Sequence, residues 1–195
     1  ERRHGGGEHQ RRQPHRDHKI PGIAGNAQGH VWIAEAPKVG GRVLGFRQFW
    51  VNGKKAVRAR EPDGDDMFRV VAWNRDTRDA VLPAPAITGW GDPAPMELVI
   101  HQMWEIAMLR VQTLRTEGDK LRVTFHEPES RIQFEHPWPP VVISEQGNSA
   151  FFLTNRPEFL DQPGEWVQEL PGGRVLYWPR EGEDLRRDGT VMGPA

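Results

Sequence analysis

Apolar residues recur along this chain in short runs, mostly at period two, which is the spacing of half-buried strands. The first run is His30-Val31-Trp32-Ile33-Ala34-Glu35. The clearest local signal follows in Phe46–Arg60, where Asn52-Gly53 separates two strand-prone runs. Both central residues of a two-residue hairpin turn take positive φ, which Asn and Gly tolerate best. On the outgoing run Ala56, Arg58 and Arg60 alternate with Val57 and Ala59. That alternation predicts one basic and one apolar face. Shorter strands are expected over 68–73 and 80–87, and Pro83 and Pro85 demote the second to an edge or an extended crossing.

Residues 96–116 set propensity against pattern. Glu, Leu, Met and Ala are frequent and no Pro or Gly interrupts, which favours a helix. Yet Met96, Leu98, Ile100, Trp104, Ile106 and Met108 occupy even positions, and only Gln102 breaks the series. Period two predicts a pair of strands bending near Gln102 and Met103, continued by a strand at Leu121–His126 after Glu117-Gly118-Asp119. Further strands are expected at Val141–Ser144 and Phe151–Leu153. A short helical turn is expected after Asn155, which has the spacing of a capping residue with Glu158. A hairpin of Trp166–Leu170 with Arg174–Trp178 should close around Pro171-Gly172-Gly173. Many short strands with frequent turns predict an all-β fold, an antiparallel barrel or sandwich.

The ends differ from this pattern. Residues 1–29 hold six basic residues and many His, with almost nothing apolar before Ile20, and read as a disordered basic, His-rich arm. Residues 30–180 form the expected domain, and 181–195 a frayed tail. The chain has 26 Lys and Arg against 27 Asp and Glu and no Cys. Near-neutral charge argues against a nucleic-acid partner. The missing cysteines exclude a thiol nucleophile and Cys-ligated zinc. No apolar run reaches the roughly 18 residues of a membrane helix, so no membrane partner is expected.

Candidate chemistry is thin. No nucleophile elbow, phosphate loop or dinucleotide fingerprint is present, and no cofactor is expected. Glu61-Pro62-Asp63-Gly64-Asp65-Asp66 begins like a calcium loop but lacks the later ligands and the terminal Glu, so it reads as a solvated acidic turn with no metal site. His126-Glu127 and Glu135-His136 have the wrong spacing for zinc. Sugar hydrolysis needs two carboxylates, and Glu97 with Glu105, Glu127 with Glu129, and Asp161 with Glu165 are candidates without a distinguishing signal. The aromatic residues are the better lead. Eight Trp accompany a single Tyr, and indole faces stack on the apolar faces of sugars. Trp90 in a Gly-rich loop, Trp104 near the bend, and Trp138 in His136-Pro-Trp-Pro-Pro140 are the expected carbohydrate-binding residues. Trp32, Trp166 and Trp178 are expected in the core.

Four segments together resemble a known family. They are Phe46–Arg60, Met96–Arg110, Pro137–Pro140 and Phe159–Pro179, the last with Phe-Leu-Asp-Gln-Pro-Gly-Glu-Trp before Leu-Tyr-Trp-Pro. Over roughly 30–185 the chain is similar to the β-barrel-like domain inserted near the start of right-handed parallel β-helix enzymes of glycoside hydrolase family 141. The resemblance implies a non-catalytic accessory domain of a secreted or periplasmic parent that degrades polysaccharide. Its partner would be the β-helix catalytic domain, and it would line a glycan cleft. The family's catalytic carboxylates lie on later coils, so no catalytic residue transfers to this chain. A free-standing carbohydrate-binding module and a small hydrolase using a carboxylate pair are the alternatives, and a basic-arm nucleic-acid binder the last.

Overall fold

The computed structural model describes residues 15–16, 20–84, 92–93, 95–136, 138–170, 172–185 and 191–192. Its longer strands are β1 (Trp32–Glu35), β2 (Asp79–Pro83), β3 (Glu97–His101), β4 (Ile106–Glu117), β5 (Lys120–Phe125), β6 (Ala150–Thr154), β7 (Glu165–Glu169) and β8 (Arg174–Tyr177). Among the described residues one α-helix, α1 (Glu129–Glu135), follows β5.

The large sheet is antiparallel and runs Ala72–Asn74, β2, β5, β4, β3, β6, Arg60–Glu61, with Phe68–Arg69 also on β6. The second sheet runs His15–Arg16, β1, β8, β7, Val57–Arg58, and its last pair is parallel. Leu98, Ile100, Leu109, Val111, Leu121, Val123 and Leu82 of the large sheet share one core with Val167 and Leu176 of the second. The fold is therefore all-β and sandwich-like. On the far side of the second sheet, Trp166, Val175 and Tyr177 pack with Phe46, Phe49 and Val51. Phe46 stacks on Trp166 with ring centroids 5.1 Å apart. With both faces covered, β7 reads as a nearly continuous buried run, without a clean alternation.

Pattern prevails over propensity in residues 96–116. Leu98 lies opposite Leu109 and Ile100 opposite Ala107, all buried. The strands meet at a turn closed by the Gln102 N–H donating to the Glu105 carbonyl at 2.9 Å. The Asn52-Gly53 hairpin also forms, with φ of 51° and 73° and Trp50 opposite Lys55.

Other expectations are corrected. Asp79–Pro83 is not an edge, because β2 is paired on both sides; Pro83 is its last residue, where a missing N–H interrupts little. Residues 56–60 do not alternate as one strand: Ala56 and Ala59 are buried and Val57 is 51% exposed, because the backbone changes partners between Lys55 and Val57. Residues 141–144 form no strand, and the Val142 N–H donates to the Ser149 hydroxyl. Asn155 does not cap the 3₁₀ turn Pro157–Phe159. It sits at φ 67° and bonds to the Pro95 carbonyl and to both backbone groups of Gln168. Residues 20–29, expected in the arm, contribute Ile20, Ile23 and Ala27 to the main core. α1 was not expected; its buried residues Ser130 and Phe134 are one helical turn apart, and Phe134 stacks on Trp73 at 4.3 Å.

Candidate functional site

Among the described residues, the β3–β4 hairpin carries the most exposed aromatic feature. Trp104 lies in its turn and is 67% exposed, and Trp138 is 57% exposed. The two rings stack nearly parallel, 6.0 Å between centroids and 11° between planes. Local chemistry explains the juxtaposition. The Gln102 side-chain amide donates to the Pro139 carbonyl at 2.8 Å and to Gln133 Oε1 at 3.1 Å, tying the turn to the 138–140 segment and to α1. From Trp104 the apolar surface continues along the outer face of β4 through Ile106 and Met108, both about half exposed, while Ala107 and Leu109 point inward. Trp90, the third expected carbohydrate residue, lies outside the described residues. Trp32 and Trp166 are buried, and Trp178 stacks on His30 at 5.3 Å.

The carboxylate candidates separate by environment. Glu97 is 5% exposed on β3 and accepts a bidentate pair from Arg47 and a further ion pair from Arg58. Burial pushes its carboxyl up, but the Arg47 hydrogen bonds and the Arg58 charge outweigh this and hold it below the ordinary value. Glu105 is exposed and lies at the far end of the hairpin from Glu97. Glu129 pairs with Arg110, and Glu127 and Glu135 both pair with Arg78. Apart from Glu105, these carboxylates are held in ion pairs of the fold.

Asp161 and Glu165 differ. They meet Asp63 of the acidic loop, and carboxylate oxygens of all three lie within 4.8 Å of one another. Glu165 is 3% exposed, and its Oε2 accepts the N–H groups of Asp161 and Gln162, each at 3.1 Å. Burial pushes Glu165 up to about 8, and the charges of Asp161 and Asp63 add to this. Burial and then Asp63 raise Asp161; burial, Asp63 and Asp161 raise Glu61. The expectation of a solvated turn fails for Asp63, whose Oδ1 is shut off from solvent. A retaining glycosidase holds its carboxyls roughly 5–5.5 Å apart around an open sugar site. Here the oxygens are closer together and one residue is enclosed.

Residues 29–180 match the family model of the GH141 insertion domain. The chain belongs to the GH141 insertion-domain family. A solved structure titled "Glycoside hydrolase" is similar to this domain at 45% identity with a TM-score of 0.76. The match covers 87% of this chain and 30% of that one, so the GH141 domain described here spans under a third of its solved relative. Among curated proteins nothing matches.

Proposed function

We propose that this chain is the non-catalytic accessory domain of a parallel β-helix glycoside hydrolase. It packs on the catalytic helix through the β3–β4 turn and the outer face of β4 and borders the glycan cleft. The observation that carries this reading is the match of an insertion-domain family to a chain that spans 30% of a glycoside hydrolase. The exposed strip of Trp104, Ile106 and Met108 supports the choice of face, since contiguous exposed apolar surface marks interaction sites.

Two measurements test it. The purified chain should release no product from a panel of aryl glycosides and plant polysaccharides; turnover that disappears in Glu165→Gln would establish the small-hydrolase alternative instead. Mixed with a GH141 enzyme lacking its own insertion domain, the chain should co-elute in size exclusion, and Ile106→Asp with Met108→Asp should abolish this. Failure of the unmodified chain to co-elute removes the docking claim.

A second reading rests on the Trp104–Trp138 stack, whose open outer faces suit a sugar ring. In native gels containing polysaccharide, Trp104→Ala and Trp138→Ala should each weaken retardation about 2- to 10-fold, from about 0.5–1.5 kcal/mol of lost stacking. Both rings are exposed, so the melting temperature should move by only about 1–2 °C. Unchanged retardation in both variants would remove the platform.

A further inference from the structure

The acidic loop begins like a calcium loop and then runs out of ligands, and the fold supplies them from elsewhere in the chain. Asp63 follows the strand Arg60–Glu61 of the large sheet, while Asp161 and Glu165 lead into β7 of the second sheet. The parallel pairing that sets Glu165 opposite Val57 brings these segments together. The Gln162 side-chain amide clips them by donating to Asp63 Oδ2 at 2.7 Å. Oxygens bound to one calcium ion at about 2.3–2.6 Å can be at most about 4.6–5.2 Å apart. The observed limit of 4.8 Å for Asp63, Asp161 and Glu165 meets that geometry.

A second observation points to a ligand independently of the clustering. Asp63 Oδ1 and Asp161 Oδ1 are fully enclosed and have no hydrogen-bond partner among the described residues. Buried polar atoms almost always have partners, so two orphaned acceptors in one cluster mark a missing donor or cation. Glu165 is more than nine-tenths buried, and both of its hydrogen bonds go to Oε2, leaving Oε1 free. Arg60, the cation whose charge reaches Asp63 and Glu165, directs its guanidinium to the carbonyls of Pro62 and Asp66.

We propose that Asp63, Asp161 and Glu165, with Glu61 at the rim, form a binding site for a divalent, oxygen-preferring cation of the calcium type that clamps the two sheets together. Three carboxylates without a nitrogen or sulfur donor disfavour zinc and copper. Three carboxylates in close contact suit calcium better than magnesium, which retains its waters and demands octahedral geometry. This site lies apart from the aromatic hairpin, and the inference stands or falls independently of the docking reading.

The test uses the whole chain after EDTA treatment. Calcium should bind in calorimetry with a Kd of about 1 mM or tighter. Terbium should give luminescence sensitised by the adjacent Trp166 and displaced by calcium. Saturating calcium should raise the melting temperature by several degrees, as any ligand of the folded state does. Asp63→Asn and Asp161→Asn should each weaken binding about 10-fold or more, while the exposed Glu145→Gln should bind like the parent. Circular dichroism verifies that each variant is folded, and removing a mutually repelling charge favours folding of the cation-free form. No calcium heat and no terbium signal would overturn the site, as would parent-like titration of both Asn variants. Equal affinity for magnesium would overturn the calcium-type assignment.

Discussion

Replacing Glu97 by Gln is expected to destabilise the domain by about 3–5 kcal/mol, the cost of leaving a buried charge without its partner. The Arg58 side chain is 14% exposed and pairs with Glu97. Burial already lowers its pKa despite that carboxylate. Arg47 is 47% exposed and can turn to water, but Arg58 cannot. With roughly 2–4 °C per kcal/mol for a domain of this size, the melting temperature should fall by about 6–20 °C. A double variant Glu97→Gln, Arg58→Met should recover much of the loss, because an apolar pair of similar volume is often as stable as a buried ion pair. Denaturant unfolding of the parent, both single variants and the double variant measures this directly. A loss under about 1 kcal/mol in Glu97→Gln would mean that Arg58 is not held by this charge.

With divalent cations chelated, stability should fall as pH rises from about 5 to about 8. The folded Glu165 keeps its proton up to about 8, whereas the unfolded residue releases it near 4.5. Between those values the folded state binds more protons than the unfolded state, so raising the pH favours unfolding. The contribution is complete below the unfolded value and lost as pH passes through the folded one. Its slope is bounded by about 1.4 kcal/mol per pH unit. Asp161 and Glu61 add the same sign at lower pH, since burial and neighbouring acids raise both. Glu97, Asp79 and Glu129 act oppositely: their pKa values are held down, so their contribution is lost on acidification. Glu165→Gln should flatten the descending limb while leaving the acid limb in place. Urea midpoints across this range, compared between parent and variant, decide it. Parallel curves would show that Glu165 ionises freely in the folded protein.

The exposure of Trp104 and Trp138 follows from local sequence, because a large aromatic in a turn or a Pro-bounded segment has few neighbours to bury it. Their mutual stacking does not, since it depends on Gln102 reaching Pro139 across the fold. The acid cluster at Asp63 was not legible for the same reason. Its loop alone lacks ligands, and the residues that complete the cluster lie about a hundred positions further on. The helix α1 escaped because its apolar signal is one turn long and flanked by Pro128 and His136.

Local sequence determined the elements whose code is short-ranged: the Asn52-Gly53 turn, the period-two strands of 96–116 and the all-β class. Positive φ and side-chain alternation are properties of adjacent residues, so they need no knowledge of the rest of the molecule. The motif residues from Phe159 to Pro179 likewise carried the family. Only the tertiary structure decided that β2 is interior, that Val57 faces water, and that acids of two sheets converge on one point. Those outcomes depend on which strand lies beside which, and strand pairing is a long-range choice set by the burial of the whole core.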